Sequence, residues 1–176
     1  YASVVSRETV RIALTLAALN DLEVKSGDIL SAYVQAPVTE KVWTTLGPEF
    51  GKDARKTAVI VRALCGLKSA GAVFRSQLAR FMESLGYQSC KADPDLWLKS
   101  EIRPEDGVKY YSHLFCYVDD ILCIHHNADS MLEQLHRSFP LKPGFSKPDM
   151  YLGMKLWKPK LHIGVWAWAM SPARYV

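Results

Sequence analysis

The sequence lacks the long apolar runs that membrane-spanning helices require. No stretch of about 18 or more apolar residues occurs in the 176-residue chain, and its beginning does not resemble a signal peptide. We therefore expect an intracellular protein without a membrane partner. Apolar residues nevertheless make up 49% of the chain, which allows a sizeable core and argues against global disorder.

Cysteine is scarce, and its spacing fits neither a C-x-x-C motif nor a zinc pattern. The chain has four cysteines, none of them in a C-x-x-C pair, and no histidine pair completes a zinc pattern. All four have apolar neighbours, which predicts buried, reduced thiols. The four are Cys65, Cys90, Cys116 and Cys123.

Excess charge is also small. The formal net charge of +4 permits a polyanionic partner without requiring one. The chain opens without Met, and we expect it to be a piece of a longer protein.

The periodicity predicts an α+β fold. Helix, strand, a loop-rich lobe, strand, helix, strand, β-hairpin, helix and a second β-hairpin follow one another along the chain. This order favours a split βαβ antiparallel sheet with helices on one face. Residues 37–56 are polar and irregular, which predicts loops, and the last hairpin is predicted to turn at residues 158–160.

Two adjacent acids interrupt the apolar stretch "LFCYVDDILCI". A tight turn at Val118 and Asp119 would join the two predicted strands, but it lacks the Gly or Asn that a two-residue hairpin turn usually contains. One interpretation is a hairpin tip with a solvated acid. The other is a divalent cation site, because neighbouring, partly buried carboxylates repel each other and Mg²⁺ prefers carboxylate oxygen.

A third acid favours the metal interpretation. Asp28 lies at the end of a predicted strand in "GDILSAYV". If neighbouring strands bring it beside Asp119 and Asp120, three carboxylates can hold two metal ions for in-line displacement at phosphorus. The alternatives in this chemistry are a polymerase and a nuclease.

Several stretches together resemble one family. "VWTTLGPEFG", "LCGLKSAGAVF", "GYQSCKADPDLWL", "YVDDILCI" and "YLGMKL", with "DILSAYV" before them, occur in the order found in the reverse transcriptases of Ty1/copia-type retrotransposons. The resemblance runs from about Asp28 to Gly153 and implies an RNA-directed DNA polymerase. A decayed, non-catalytic copy that only binds nucleic acid is the alternative.

The resemblance also implies an organisation. Residues 1–176 would form a single reverse transcriptase domain fragment, with a right-hand polymerase palm in residues 1–35 and 70–157 and part of the fingers in residues 36–69. Residues 158–176 would be a hairpin leading towards a thumb outside this chain. Because the upstream triphosphate clamp, the thumb and RNase H are also expected outside it, we expect the isolated fragment to be weakly active or inactive.

Site residues follow by matching positions. Asp28, Asp119 and Asp120 match the catalytic metal-binding triad, with two Mg²⁺, or Mn²⁺, as the implied ions. Other positions match family residues that contact the metal or the incoming dNTP: the Ile29 carbonyl, Ser31, Ala32 and Tyr33, the last of which matches the aromatic gate that excludes a 2′-hydroxyl. A further set matches family residues near the template and primer: Gly66, Lys68, Leu152 and Gly153.

Some of these other matches have a plainer alternative. Tyr33 is then a half-buried strand aromatic, Lys68 a solvated surface lysine, and Gly153 an ordinary hairpin glycine. Ser69-Ala70-Gly71 also departs from the family's usual Gln-Ala-Pro, which bears on template grip but not on the triad. The implied partners are dNTPs, an RNA or DNA template with a DNA primer, and the integrase and RNase H of the same polyprotein, within a cytoplasmic virus-like particle.

Overall fold

A computed structural model describes residues 5–172 and, within them, every side chain except that of Thr39. The chain forms two compact units. The larger unit contains residues 5–30 and 82–172, and the smaller one contains residues 31–81.

A five-stranded antiparallel sheet is the centre of the larger unit. The strands are β1 (Glu23–Asp28), β4 (Gln88–Ser89), β5 (Leu96–Ile102), β6 (Lys109–Tyr117) and β7 (Asp120–His125). Their order in the sheet is β1-β7-β6-β5-β4, so β1 and β6 run in the same direction with β7 between them. This is the split arrangement predicted from the sequence, and the mixed helix and antiparallel-sheet fold class is confirmed.

Helices α1 (Arg7–Leu19) and α4 (Ala128–Ser138) cover opposite faces of this sheet. Val24 of β1 belongs to an apolar cluster with α1, whereas a Cβ built on Gly27 would lie 3.7 Å from Leu132 of α4. Side chains at even and odd positions of a strand point to opposite faces, so the prediction of helices on one face is wrong. The error arose because both faces of β7 are apolar, so its alternation does not indicate which helix covers which face.

Side-chain caps fix where both helices begin. The Ser6 hydroxyl accepts a hydrogen bond from Thr9 N–H (3.1 Å), and the Asn127 side chain accepts one from Ser130 N–H (3.0 Å). Ser6 N–H in turn donates to the buried carboxylate of Asp93 (2.9 Å). Asp93 therefore ties the turn before β5 to the start of α1.

A second, three-stranded sheet in the same unit has the order β10-β9-β8. Its tight turn lies at Leu152 and Gly153, whose φ angles are 50° and 72°. The chain turns again at residues 161–164, where Gly164 has a φ of 82°, so the predicted turn at residues 158–160 is wrong. Positive φ is readily supplied by glycine, whereas Pro159 is locked near −65°. The strands are β8 (Met150–Tyr151), β9 (Met154–Trp157) and β10 (Ala169–Ser171).

The smaller unit contains a two-stranded antiparallel ribbon and the greater part of a long helix. The ribbon includes a nine-residue strand in the region predicted to be loops, and the pairing of that strand with residues 57–62 explains the difference. Periodicity missed this strand because its register shifts between Pro37 and Val42. The elements are α2 (Ala32–Gln35), β2 (Pro37–Thr45), a 3₁₀-helix (Pro48–Asp53), β3 (Thr57–Arg62) and α3 (Ala70–Ser84), which continues into the larger unit.

The cysteines do not all behave as predicted. Cys116 and Cys123 are buried thiols, as expected, but Cys65 is exposed in the loop after β3. Across residues 5–172, every helix is too short or too polar to cross a lipid bilayer.

Candidate active site

The two adjacent acids lie where strands β6 and β7 meet. Tyr117 pairs with Asp120, so Val118 and Asp119 form a two-residue turn. The strands on either side are buried because their side chains enter the core on both faces, and Phe115, Ile121 and Leu122 are completely inaccessible to solvent. A buried hairpin therefore holds the carboxylates at a fixed place at the edge of the core.

Val118 adopts an unusual backbone conformation. Its φ is 56°, and a positive φ at the first central residue is typical of a type II′ turn, a position that favours glycine. A left-handed conformation costs a residue with a Cβ about 1–2 kcal/mol. The strain lies in the residue directly before Asp119, which is a common property of functional sites.

The third acid, Asp28, lies directly opposite this hairpin. Asp28 is the last residue of β1, and its register partner in β7 is Asp120. Ile29 N–H donates a 2.7 Å hydrogen bond to the carbonyl oxygen of Asp119, which fixes the end of β1 against the turn. The long-range pairing that the metal interpretation requires is therefore present.

The electrostatics of this cluster are unfavourable for three free carboxylates. Burial raises the pKa of Asp120, and the negative charges of Asp119 and Asp28 raise it further. Asp120 is thus held where ionisation is costly unless positive charge is supplied. A divalent cation supplies such charge, and carboxylate oxygens are the ligands that Mg²⁺ prefers. The three acids therefore fit the implied ions.

One cation of the chain already contacts the cluster. Lys142 Nζ lies 2.8 Å from Asp28 Oδ1, which makes an ion pair although the contact is not aligned as a hydrogen bond. The contact with Asp28 raises the pKa of Lys142. Sequence reasoning missed this lysine, because a single Lys between Leu141 and Pro143 carries no periodic or motif signal.

A small open pocket adjoins the carboxylates. It is lined by the ends of β1 and β7 and by the segment that follows α4, and it includes Tyr151. The Tyr151 hydroxyl is buried without a hydrogen-bond partner among residues 5–172. Burial and nearby anionic groups, Asp120 among them, raise the pKa of Tyr151, so this hydroxyl remains a neutral donor beside the site. The sequence pattern gave no indication of a role for Tyr151, although this residue directly precedes Leu152 and Gly153, which were predicted to contact the primer.

The remaining predicted residues divide between the two units. In the larger unit, Ile29 is buried, and Leu152 and Gly153 form the tight turn between β8 and β9. Residues predicted to meet the nucleotide and template lie in the smaller unit, where Ala32 is buried and Lys68 is exposed.

Three of the residues in the smaller unit show local features. Ser31 has a φ of 51° and precedes α2. The Tyr33 ring packs edge-on against Phe74, with 6.3 Å between the ring centroids. Gly66 has a φ of 99°, which explains the glycine at this turn.

A second group of possible metal ligands lies at the opposite end of β7. Glu101, His125 and His126 each offer a ligand atom, and these atoms lie within 4.8 Å of one another. However, His125 Nδ1 accepts a hydrogen bond from Asn127 N–H (2.9 Å), so the neutral ring carries its proton on Nε2, 3.1 Å from Glu101. A metal-binding histidine normally donates from its second nitrogen, so these three residues fit a hydrogen-bonded cluster better than a metal centre.

Comparisons with known proteins agree with the motifs. The profile of a family described as "Reverse transcriptase (RNA-dependent DNA polymerase)" matches residues 1–165. The chain is 25% identical to the retrovirus-related Pol polyprotein from transposon TNT 1-94 of Nicotiana tabacum, over 100% of this chain and 13% of that protein. It is 24% identical to the corresponding polyprotein from transposon RE1 of Arabidopsis thaliana, over 81% of this chain and 10% of that protein. The chain thus spans about a tenth of the length of these relatives, and it belongs to the reverse transcriptase family, as a member of the Ty1/copia type that its motifs predicted.

Proposed function

We propose that this chain carries the catalytic centre of an RNA-directed DNA polymerase, which adds dNTPs to the 3′ end of a DNA primer on an RNA or DNA template. The observation that carries the proposal is the pairing of Asp28 with Asp120 across two strands, with Asp119 in the adjoining turn. Three neighbouring carboxylates suit phosphoryl transfer with two metal ions better than acid–base chemistry, because they supply ligands for the ions.

The residues divide the work as follows. Asp28, Asp119 and the carbonyl of Ile29 would be the direct ligands of two Mg²⁺ or Mn²⁺ ions, and Asp120 a less direct one. The chemistry that such ions supply is a lowered pKa of the primer 3′-hydroxyl and neutralised charge on the leaving pyrophosphate. Val118 and the core beneath β6 and β7 keep the acids in place without further rearrangement.

Nucleotide and primer contacts are part of the same proposal. Ser31 and Ala32 would approach the triphosphate, and Tyr33 would exclude a 2′-hydroxyl from the sugar position. Gly66 and Lys68 would meet the template, and Leu152 with Gly153 would support the primer end. In this proposal residues 1–35 and 70–157 act as palm and residues 36–69 as part of the fingers. The parent polyprotein would work with its integrase and RNase H in a cytoplasmic particle.

Single-nucleotide addition tests the proposal. The chain is mixed with a DNA primer on an RNA template, one dNTP and Mg²⁺ or Mn²⁺, and is compared with Asp119→Asn and with Asp149→Asn. Asp149 is exposed and lies outside the carboxylate cluster, so its variant is a matched control. We expect weak addition by the parent chain and the control, and none by Asp119→Asn, with duplex binding unchanged in all three.

Two results would contradict this function. Equal addition by Asp119→Asn and the parent would show that the carboxylate is not needed. Duplex binding without addition by the full-length parent polyprotein, which would supply the clamp and thumb expected outside this chain, would favour the non-catalytic, nucleic-acid-binding alternative.

A further inference from the structure

Lys142 has a defined position beside the carboxylates. The segment that follows α4 runs antiparallel along the free edge of β1: Leu30 N–H donates to the Pro140 carbonyl, and Lys142 N–H donates to the Asp28 carbonyl, both at 2.8 Å. Ser26 and Ser146 continue this pairing. The backbone of Lys142 is therefore fixed to the same residue whose side chain its ammonium contacts.

The ammonium itself is free to move. The Lys142 side chain is 56% exposed and that of Asp28 is 32% exposed, so the ion pair lies at the rim of the pocket. Displacing the ammonium from Asp28 leaves it in water, at little desolvation cost. Asp28 Oδ1, in contrast, is inaccessible to solvent, and among residues 5–172 it has no aligned hydrogen-bond donor, only the ion pair with the Lys142 ammonium. Without a cation this oxygen is therefore less well solvated than the Lys142 ammonium is without an anion.

We infer that Lys142 is an internal counter-ion of the active site: its ammonium neutralises Asp28 in the metal-free protein and is displaced when a divalent cation binds the same carboxylate. The inference rests on the proposed function, because it takes Asp28 as a metal ligand. It adds that metal affinity is set by competition with a residue of this chain. The ammonium keeps three neighbouring acids folded together before the ion arrives, and it leaves towards solvent afterwards.

Divalent-ion affinity tests the competition directly. Binding of Mn²⁺ and of Mg²⁺ is measured by electron paramagnetic resonance and by calorimetry, at low salt, for the parent chain, Lys142→Met, Lys142→Arg and Lys147→Met. We expect Lys142→Met to bind the first ion roughly tenfold more tightly, because it removes a nearby positive charge and frees Asp28. Lys142→Arg keeps the charge, and Lys147→Met removes a charge from an exposed lysine that does not line the carboxylate pocket, so both should bind like the parent. Equal or weaker binding by Lys142→Met would overturn the inference.

The parent protein offers a second measurement that needs no variant to fold. Amine-selective acetylation, quantified by mass spectrometry, reports how available each lysine is. Saturating Mg²⁺ should increase labelling of Lys142 and leave that of Lys147 unchanged. Unchanged or reduced labelling of Lys142 would show that the ammonium stays on Asp28, against the inference.

These results are distinguishable from a failure of the proposed function. If neither the parent nor Lys142→Met binds a divalent ion at millimolar concentration, the metal site is wrong and the inference falls with it. If the parent binds ions and Lys142→Met binds them no more tightly, only the role of Lys142 is wrong.

Discussion

Replacing Val118 by glycine and by alanine measures the strain stored next to the proposed catalytic acids. Both changes remove the γ-methyl groups, but only alanine keeps a Cβ in the left-handed conformation that Val118 adopts. At an ordinary strand position, glycine is about 0.5–1 kcal/mol less stable than alanine. At Val118, the left-handed penalty of about 1–2 kcal/mol falls on alanine alone and reverses this order.

The difference between the two effects gives the expected size. We expect the free energy of unfolding of Val118→Gly to be about 0.5–1 kcal/mol higher than that of Val118→Ala. Urea unfolding followed by circular dichroism would show this as a shift of about 0.3–0.5 M in the midpoint at equal slope. At Val59, in β3, where φ is not positive, the same pair of variants should show the usual order, with alanine the more stable. If alanine is also the more stable at position 118, the turn is not strained and the reasoning is wrong.

Two further predictions concern the same sheet. Because the pKa of Asp120 is raised in the folded state, its ionisation destabilises the metal-free protein as the pH rises from the unfolded towards the folded pKa. Asp120→Asn should therefore stabilise the protein at pH 7 and lose this advantage below the unfolded pKa; a stability gain that does not change with pH, measured by urea midpoints across the acidic range, would refute the electrostatic cause. Ser112→Ala should cost about 1–3 kcal/mol because it leaves the buried Tyr87 hydroxyl, now 2.6 Å from the Ser112 hydroxyl, without a partner. Adding Tyr87→Phe to Ser112→Ala should recover part of that loss, and additive losses in the double-mutant cycle would show that the two hydroxyls are not coupled.

The local elements were predictable where one residue pattern allows one structure. Ser6 and the apolar spacing after it define α1, and the apolar strands around Asp119 define the β6–β7 hairpin. Prediction failed where the structure depends on a distant partner. The strand β2 is polar and irregular in sequence and is ordered by pairing with β3. The last two turns lie at Gly153 and Gly164, which adopt positive φ, and not at residues 158–160, where Pro159 suggested a turn.

The candidate site divides in the same way. The sequence by itself indicated which residues to consider for the chemistry, because two acids inside an apolar strand pair, and a third at a strand end, suit a cation better than an ordinary core. Only the tertiary structure decided that Asp28 lies opposite Asp120 and that Lys142 reaches Asp28. Side-chain periodicity describes the neighbours of a residue along the chain, whereas strand order and register depend on the packing of the whole core, and this is why neither contact could be predicted from the sequence pattern.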